Sequence, residues 1–364
     1  MLKKGPGIKV MYLSPIMHLG KAYAIGCLIC VWCLYISCSK AHHTVTRGFY
    51  YWKTAYKPTG YEIKRLGQLQ VRNMYIRMFD VDWDNANKQL MPIAPAALPS
   101  CMDTSFSYIP VVFITQKVLA NITDTPAIAK AGNNIASLLN DMCLNAGIVP
   151  AEIQIDCDWA AGSRDVYFQL LRNLRQQLFF KGKAISCTIR LHQVKYTVSN
   201  GIPPVDKGLL MCYNMGNLKK AGVSNSILDV DEAEEYFGNL NSYPLPLDIA
   251  LPLFNWCLIF EGEQFKGILR NVPPESIMHS TAFRHTKGNL YGCLKDTLWD
   301  GYHLKANDII RVEGPSVKDL SAIASYTSSL IKNSAMSVVF FHCDSLTLNK
   351  FSYSELEKVY DIFN

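Results

Sequence analysis

The chain has 364 residues, 49% of them hydrophobic and 18% charged, enough to bury a large core in one α/β barrel or in two domains. That balance excludes a disordered or fibrous chain. The formal net charge of +6 is spread along the sequence, which argues against a nucleic-acid footprint.

The first 53 residues carry Lys3, Lys4, Lys9, Lys21, Lys40, Arg47 and Lys53 and no acid. Within them Ala22 to Ile36, AYAIGCLICVWCLYI, is an apolar run of fifteen residues between Lys21 and Ser37-Cys38-Ser39-Lys40. A basic lead and a short apolar stretch are the parts of a secretory signal, and the run falls short of the roughly 20 residues of a spanning helix. Tyr35-Ile36-Ser37-Cys38 resembles a bacterial lipobox, with Tyr35 where an aliphatic residue is usual. That resemblance implies a signal over residues 1–38, lipidation of Cys38, and a tether over 39–45 in which His42 and His43 are solvated. The expected location is then the bacterial cell envelope, at the outer membrane or in the periplasm, with the lipid as membrane anchor. A plain signal peptide or an uncleaved anchor stays open. Eight cysteines follow Cys38, with no C-x-x-C pair and no Cys/His cluster. They are expected to be buried thiols rather than zinc ligands, with disulfides open in an exported protein.

Beyond the tether, continuous apolar runs predict eight strands covered on both faces: Thr46–Trp52, Asn73–Val81, Tyr108–Thr115, Glu152–Asp158, Ala184–Leu191, Gly208–Tyr213, Asp248–Phe254 and Ser337–Cys343. Helical spacing marks Ala127–Cys143, Arg164–Phe180, Asp231–Phe237 and Lys318–Lys332; in the second, Val166, Leu170, Leu174 and Leu178 share a face. Strands alternating with helices predict a parallel sheet, and eight of them predict a single (β/α)8 TIM barrel over residues 46–364. A doubly wound open sheet is the alternative. The stretch from about Glu261 to Gly314 is too long for a plain connection and predicts an insertion between the seventh and eighth strands.

In such a barrel, binding and catalytic groups project from the C-terminal strand ends. Those positions hold Tyr51 and Trp52, then Asp80, Asp82 and Trp83, then Gln116, then Asp156 and Asp158. Arg190, His192, Gln193, Tyr213, Asn214, Asn255, Trp256, His342 and Asp344 complete the ring. Carboxylates, amides and aromatic rings together suit a carbohydrate, which offers apolar ring faces and hydroxyl edges. Three segments carry a resemblance. IQIDCDWAAG at Ile153–Gly162 resembles the strand 4 signature D-x-x-D-x-D-x-E of family 18 glycoside hydrolases, the chitinases and endo-β-N-acetylglucosaminidases. LLMCYNMG at Leu209–Gly216 is similar to that family's strand 6 motif, Met-x-Tyr-Asp, and LDIALPLFNW at Leu247–Trp256 to its strand 7.

The resemblance implies roles for single residues. Asp156 and Asp158 match the two inner aspartates, which tune the acid and orient the substrate's N-acetyl group, whose carbonyl oxygen is the nucleophile. Tyr213 matches the tyrosine holding that group, and Asn214 stands where an aspartate is usual. The outermost aspartate falls on Ile153, and the proton-donating glutamate on Ala160. Alanine has no proton to give, so the family's mechanism cannot run here as written. Asp156, Asp158 and Tyr213 are thus the candidate catalytic residues, and Trp52, Asp80, Asp82, Asn214, Trp256 and Asp344 the candidate substrate-binding ones. For Asp156 and Asp158 the alternative is a structural role, bonded to backbone amides or paired with Arg190. Two readings follow: a diverged hydrolase using carboxylates from Asp80, Asp82, Asp156, Asp158, Glu261 and Asp344, or a glycan-binding protein without catalysis. A third is an envelope scaffold with a closed barrel mouth. The expected partner is a glycan, the expected state a monomer, and neither cofactor nor metal is implied.

Overall fold

In the computed structural model, residues 1, 7, 43–270 and 272–364 are described. The apolar runs form β1 (Thr44–Tyr51), β2 (Asn73–Asp84), β4 (Ser107–Ile114), β5 (Glu152–Asp156), β6 (Ala184–Arg190), β7 (Lys207–Met211), β8 (Leu247–Pro252) and β16 (Ala335–Phe341). Each is parallel to the next, and β16 pairs back onto β1, so the eight close into a barrel. At Gly48 a side chain would meet Asn73 O and a methyl of Val339, both at 3.2 Å, so glycine allows the approach of β1 to its neighbours.

The two-residue period of β5 divides inside from outside. Ile153, Ile155, Cys157 and Trp159 are buried under the helical layer. Trp159 stacks on Tyr167 at 5.1 Å between centroids and donates its indole N–H to Asn200 O at 3.0 Å. Tyr167 belongs to the helix Arg164–Gln176, whose Leu170, Leu171 and Leu174 are also buried. Each such large side chain contributes about 1.5–3 kcal/mol on burial.

Glu152, Gln154, Asp156 and Asp158 occupy the other face, and with their cross-strand partners they make a polar barrel interior. At its floor Lys207 Nζ lies 2.8 Å from Glu152 and 2.6 Å from Asp248, whose other oxygen accepts Ser337 N–H at 2.6 Å. Above it the Tyr50 hydroxyl donates to Gln154, which reaches Ser186 at 3.5 Å.

Two structures are grafted onto the ring. A hairpin strand, β3 (Gln89–Ile93), runs antiparallel along the extension of β2. Between β8 and β16 stands a five-stranded antiparallel sheet of β9 (Trp256–Glu261), β10 (Gln264–Leu269), β11 (Phe283–Lys287), β12 (Leu290–Cys293) and β15 (Ile309–Glu313), besides a two-stranded ribbon of β13 (Thr297–Trp299) and β14 (Tyr302–Leu304). This insertion has its own small core, including Cys257, Leu269, Ile277, Phe283 and Ile310.

Several expectations need correction. The insertion begins at Trp256, so that residue ends no barrel strand. The helix from Arg164 stops at Gln176, and Leu178 in the following turn is exposed rather than on the apolar face. Tyr51 is buried, its hydroxyl accepting Lys57 N–H at 3.1 Å, so it does not belong to the mouth. His43 is buried rather than solvated, its ring nitrogens 2.8 and 3.0 Å from the carbonyls of Asn333 and Ser328. The eight cysteines are free, and all but Cys101 are buried. Ala22–Ile36, His42 and Cys38 lie outside the described residues. Among the described residues no helix is long and apolar enough to cross a membrane.

Candidate functional site

The C-terminal strand ends form the barrel mouth. Asp156 is the last residue of β5, and Thr188 on β6 donates its hydroxyl to it at 2.6 Å. Burial raises the Asp156 carboxyl to about 7 against the Thr188 hydrogen bond, and the charge of Asp158 adds to the rise. At neutral pH the group therefore carries a proton for much of the time. Two residues on, Asp158 is held by both prongs of the Arg190 guanidinium, with Nη2 2.6 Å from Oδ2. The structural alternative for Asp158, a pair with Arg190, is what the fold builds.

The loop after Asp158 turns Trp159 outward and leaves Ala160 exposed, its N–H donated to Ser163 Oγ at 3.1 Å. The other carboxylates of the mouth are engaged. Arg77 forks onto Asp80 at 2.8 and 2.7 Å. Asp82 accepts the Thr115 hydroxyl at 2.7 Å, which lowers its pKa. Asp344 accepts the Thr347 N–H and hydroxyl at 2.7 and 2.8 Å and lies 3.0 Å from His342 Nε2. Burial lowers the His342 pKa, favouring the neutral ring. Glu261 is at the far end of β9 from Trp256, paired with Lys266 and Lys305, and takes no place in the mouth.

Aromatic rings cross the mouth as a continuous belt. Trp52 meets Phe341 at 5.7 Å, Phe341 meets Tyr213 at 5.6 Å, Tyr213 meets Phe254 at 5.9 Å, and Phe254 meets Trp256 at 5.5 Å. Tyr213 is 8% exposed, and burial, then Asp156, pushes its hydroxyl pKa well up, so it stays a neutral donor. Asn214 is exposed in the left-handed region at φ 55°, and its N–H is donated to Ile227 O at 2.8 Å. Trp256 donates its indole N–H to Glu313 at 2.7 Å. The buried Glu313 also accepts Ser226 N–H at 2.9 Å and faces Arg311 Nε at 2.5 Å; Arg311 in turn donates to the carbonyls of Leu218, Lys220 and Gly222. This buried pair joins the insertion, the loop after β7 and the aromatic wall.

The mouth is unevenly open. Around Arg190, Tyr213 and Asn214 the free volume is about 50 Å³. Between Trp256, Arg270 and Glu275 of the insertion and His342, Asp344 and Lys350 after β16 lies a cavity of about 770 Å³.

Sequence reasoning missed Phe254 and Phe341 as belt members, and Thr188, Glu313 and Lys350 altogether. Phe341 could have been found by alternation, because it follows Ser337 and Val339 at a two-residue period. Glu313 and Lys350 carry no local signal.

No family model and no curated protein matches the chain. Solved structures do. The spore cortex-lytic enzyme SleL of Bacillus cereus aligns over 88% of this chain and 75% of that one at 13% identity, with a TM-score of 0.53. A chitinase from Chromobacterium violaceum aligns over 88% and 99% at 10% identity, with a TM-score of 0.54. A family 18 chitinase from Cycas revoluta, solved with bound (GlcNAc)4, aligns over 88% and 100% at 11% identity, with a TM-score of 0.51. At these identities the likeness is one of fold, and it is the fold that the strand 4, 6 and 7 motifs imply.

Proposed function

We propose that this chain is a glycan-binding (β/α)8 protein of glycoside-hydrolase type that holds sugar at the C-terminal face of its barrel without hydrolysing it by the family's route. One observation carries the reading: the aromatic belt from Trp52 to Trp256 is continuous, while Ala160 stands exposed where the acid would be. Sugar ring faces pack on such a belt, and Asn214 and the Tyr213 hydroxyl supply hydrogen bonds to the edges. Asp158 is spent on Arg190, and loss of a general acid costs about 10²–10⁴-fold in rate.

A second reading has its own support. Asp156, with a pKa near 7, is a carboxylic acid able to donate a proton, and catalytic carboxylic acids are commonly raised in this way. Incubation of the full chain with chitin oligomers and neutral polysaccharides separates the two. Binding without new reducing ends supports the first reading, and release abolished by Asp156→Asn replaces it with the second. If no sugar of the panel binds, the glycan reading fails.

We propose also that the chain is exported and lipid-anchored through Cys38 at a bacterial cell envelope, and that it acts as a monomer. Labelled palmitate incorporated by the parent and lost in Cys38→Ala tests the first part. Sedimentation velocity tests the second.

A further inference from the structure

The chain enters the barrel at its floor. Thr44, the first residue of β1, donates its N–H to Ser334 O at 2.7 Å, and His43 donates to Phe363 O at 3.2 Å. His43 stands five positions beyond Cys38, a span of at most about 18 Å. Across the ring from that entry the floor is apolar. β6 stands four strands from β1 in either direction, and β5 is its neighbour, with Ala184 N–H donated to Ala151 O at 2.9 Å where the two begin. In the loop before β5 Val149 is 94% exposed, and in the turn before β6 Leu178 is 88% exposed. That turn packs on the helix Thr125–Ala146, whose last turn carries the exposed Leu144. One exposed apolar side chain is ordinary, but three on neighbouring elements at one end of the barrel form a patch. Cations outnumber acids at the same end. The loops leading into the barrel strands hold Arg72, Lys181, Lys183 and Lys332 against Asp103 and Asp206, and Asp206 is taken by Arg175 at 3.1 Å. Lys181 bonds the Gln176 amide and Lys183 lies over the Phe179 ring at 4.7 Å, so neither is in an ion pair among the described residues.

We infer that the barrel floor is a docking surface for a phospholipid bilayer, with Leu144, Val149 and Leu178 in the interface and Lys181 and Lys183 at its phosphates. The inference rests on the lipid-anchor reading above and adds the face by which the barrel meets the membrane. The point of entry selects a bilayer rather than a second copy as the occupant, because a lipid on Cys38 brings the floor, not the mouth, to the membrane. An anchor before β1 and an apolar patch under β5 and β6 support the floor on opposite sides, so it lies along the bilayer. Apolar side chains enter the headgroup region and lysines are drawn to the negative surface, the two attractions that hold peripheral proteins. The barrel mouth then opens away from the bilayer.

Acetylation of the full chain by a water-soluble amine reagent tests this, read at each lysine by mass spectrometry. The chain is labelled in vesicles of phosphatidylethanolamine and phosphatidylglycerol and again after detergent dissolves them. Lys181, Lys183 and Lys332 report the floor, and the exposed Lys117 and Lys219, which follow β4 and β7, report the mouth. The floor-to-mouth ratio of labelling is expected to be about tenfold lower in vesicles, as for a face covered about nine-tenths of the time. The double change Val149→Asp, Leu178→Asp, at exposed positions, should restore most of that ratio while the chain still floats with the vesicles. A ratio equal in vesicles and detergent, in a chain that floats with the vesicles, overturns the inference and leaves the anchor reading standing. A lowered ratio that survives the double change also overturns it. Floor protection in detergent that grows with protein concentration assigns the face to a second copy and overturns it as well. If the chain does not float with the vesicles, both the inference and the anchor reading fall.

Discussion

The two halves of the barrel mouth are built differently. Over β5 to β7 the strand ends carry Asp156, Asp158, Arg190 and Tyr213; Arg190 takes up Asp158, Thr188 takes up Asp156, and the free volume in front of them is small. Over β8 and β16 the strand ends carry aromatic rings, and the insertion stands away from them to leave a large cavity. One half has a polar layout with little room in front of it. The other has the room. The difference teaches that motif and space need not coincide. The motif is set by the two-residue period of a strand, whereas the space is set by whatever is inserted between strands.

The open half depends on the buried Arg311–Glu313 pair, and breaking it should have the largest effect. Glu313→Ala leaves Arg311 unpaired in the interior and frees the Trp256 indole, for an expected loss of about 3–5 kcal/mol. The midpoint of urea unfolding measures it, and a red shift of tryptophan emission should accompany it. An unchanged midpoint would mean that the insertion is not held by this pair.

The closed half should respond to pH through Asp156. Its folded-state pKa is raised from 3.8 to about 7, so between those values the folded chain holds a proton that the unfolded chain has released. The stability contribution is full below about pH 4 and is lost as pH rises through about 7. Asp156→Asn keeps an acceptor for the Thr188 hydroxyl and removes that slope. It should be more stable than the parent at pH 8, by about 2 kcal/mol for a side chain that partly reaches solvent. Thermal melts of both proteins from pH 4 to 8 decide this; parallel curves would sink it.

Asp158→Asn should cost only about 0–1 kcal/mol, because its pair with Arg190 is partly exposed and screened. Its use lies in binding: if Arg190 is held away from ligand by Asp158, chitotetraose affinity should change in this variant. Smallest of all is Ala160→Glu, expected within about 0.5 kcal/mol of the parent at an exposed loop position. Reducing-end release gained in that variant alone would mean that the closed half lacks nothing but the acid.

Much of the fold was legible, since all eight barrel strands lie within a few residues of their expected bounds. The hairpin β3 was not, because Gln89–Ile93 is mostly exposed and bears no apolar alternation. His43 read as a tether residue because its burial comes from Ser328 and Asn333, far along the chain. Trp256 read as the end of a barrel strand because Leu247–Trp256 is one apolar run; the break at Leu253–Asn255 is a change of direction that hydrophobicity does not record.

By itself the sequence determined the strands and the inward face of β5, because a two-residue period is a local property of an extended chain, and the resemblance of its strand 4 motif implied the missing acid at Ala160. Only the tertiary structure decided that Arg190 would take both oxygens of Asp158 and that Glu313 would orient Trp256. Those meetings join residues 32 and 57 positions apart, and they depend on strand register, barrel closure and the placing of the insertion.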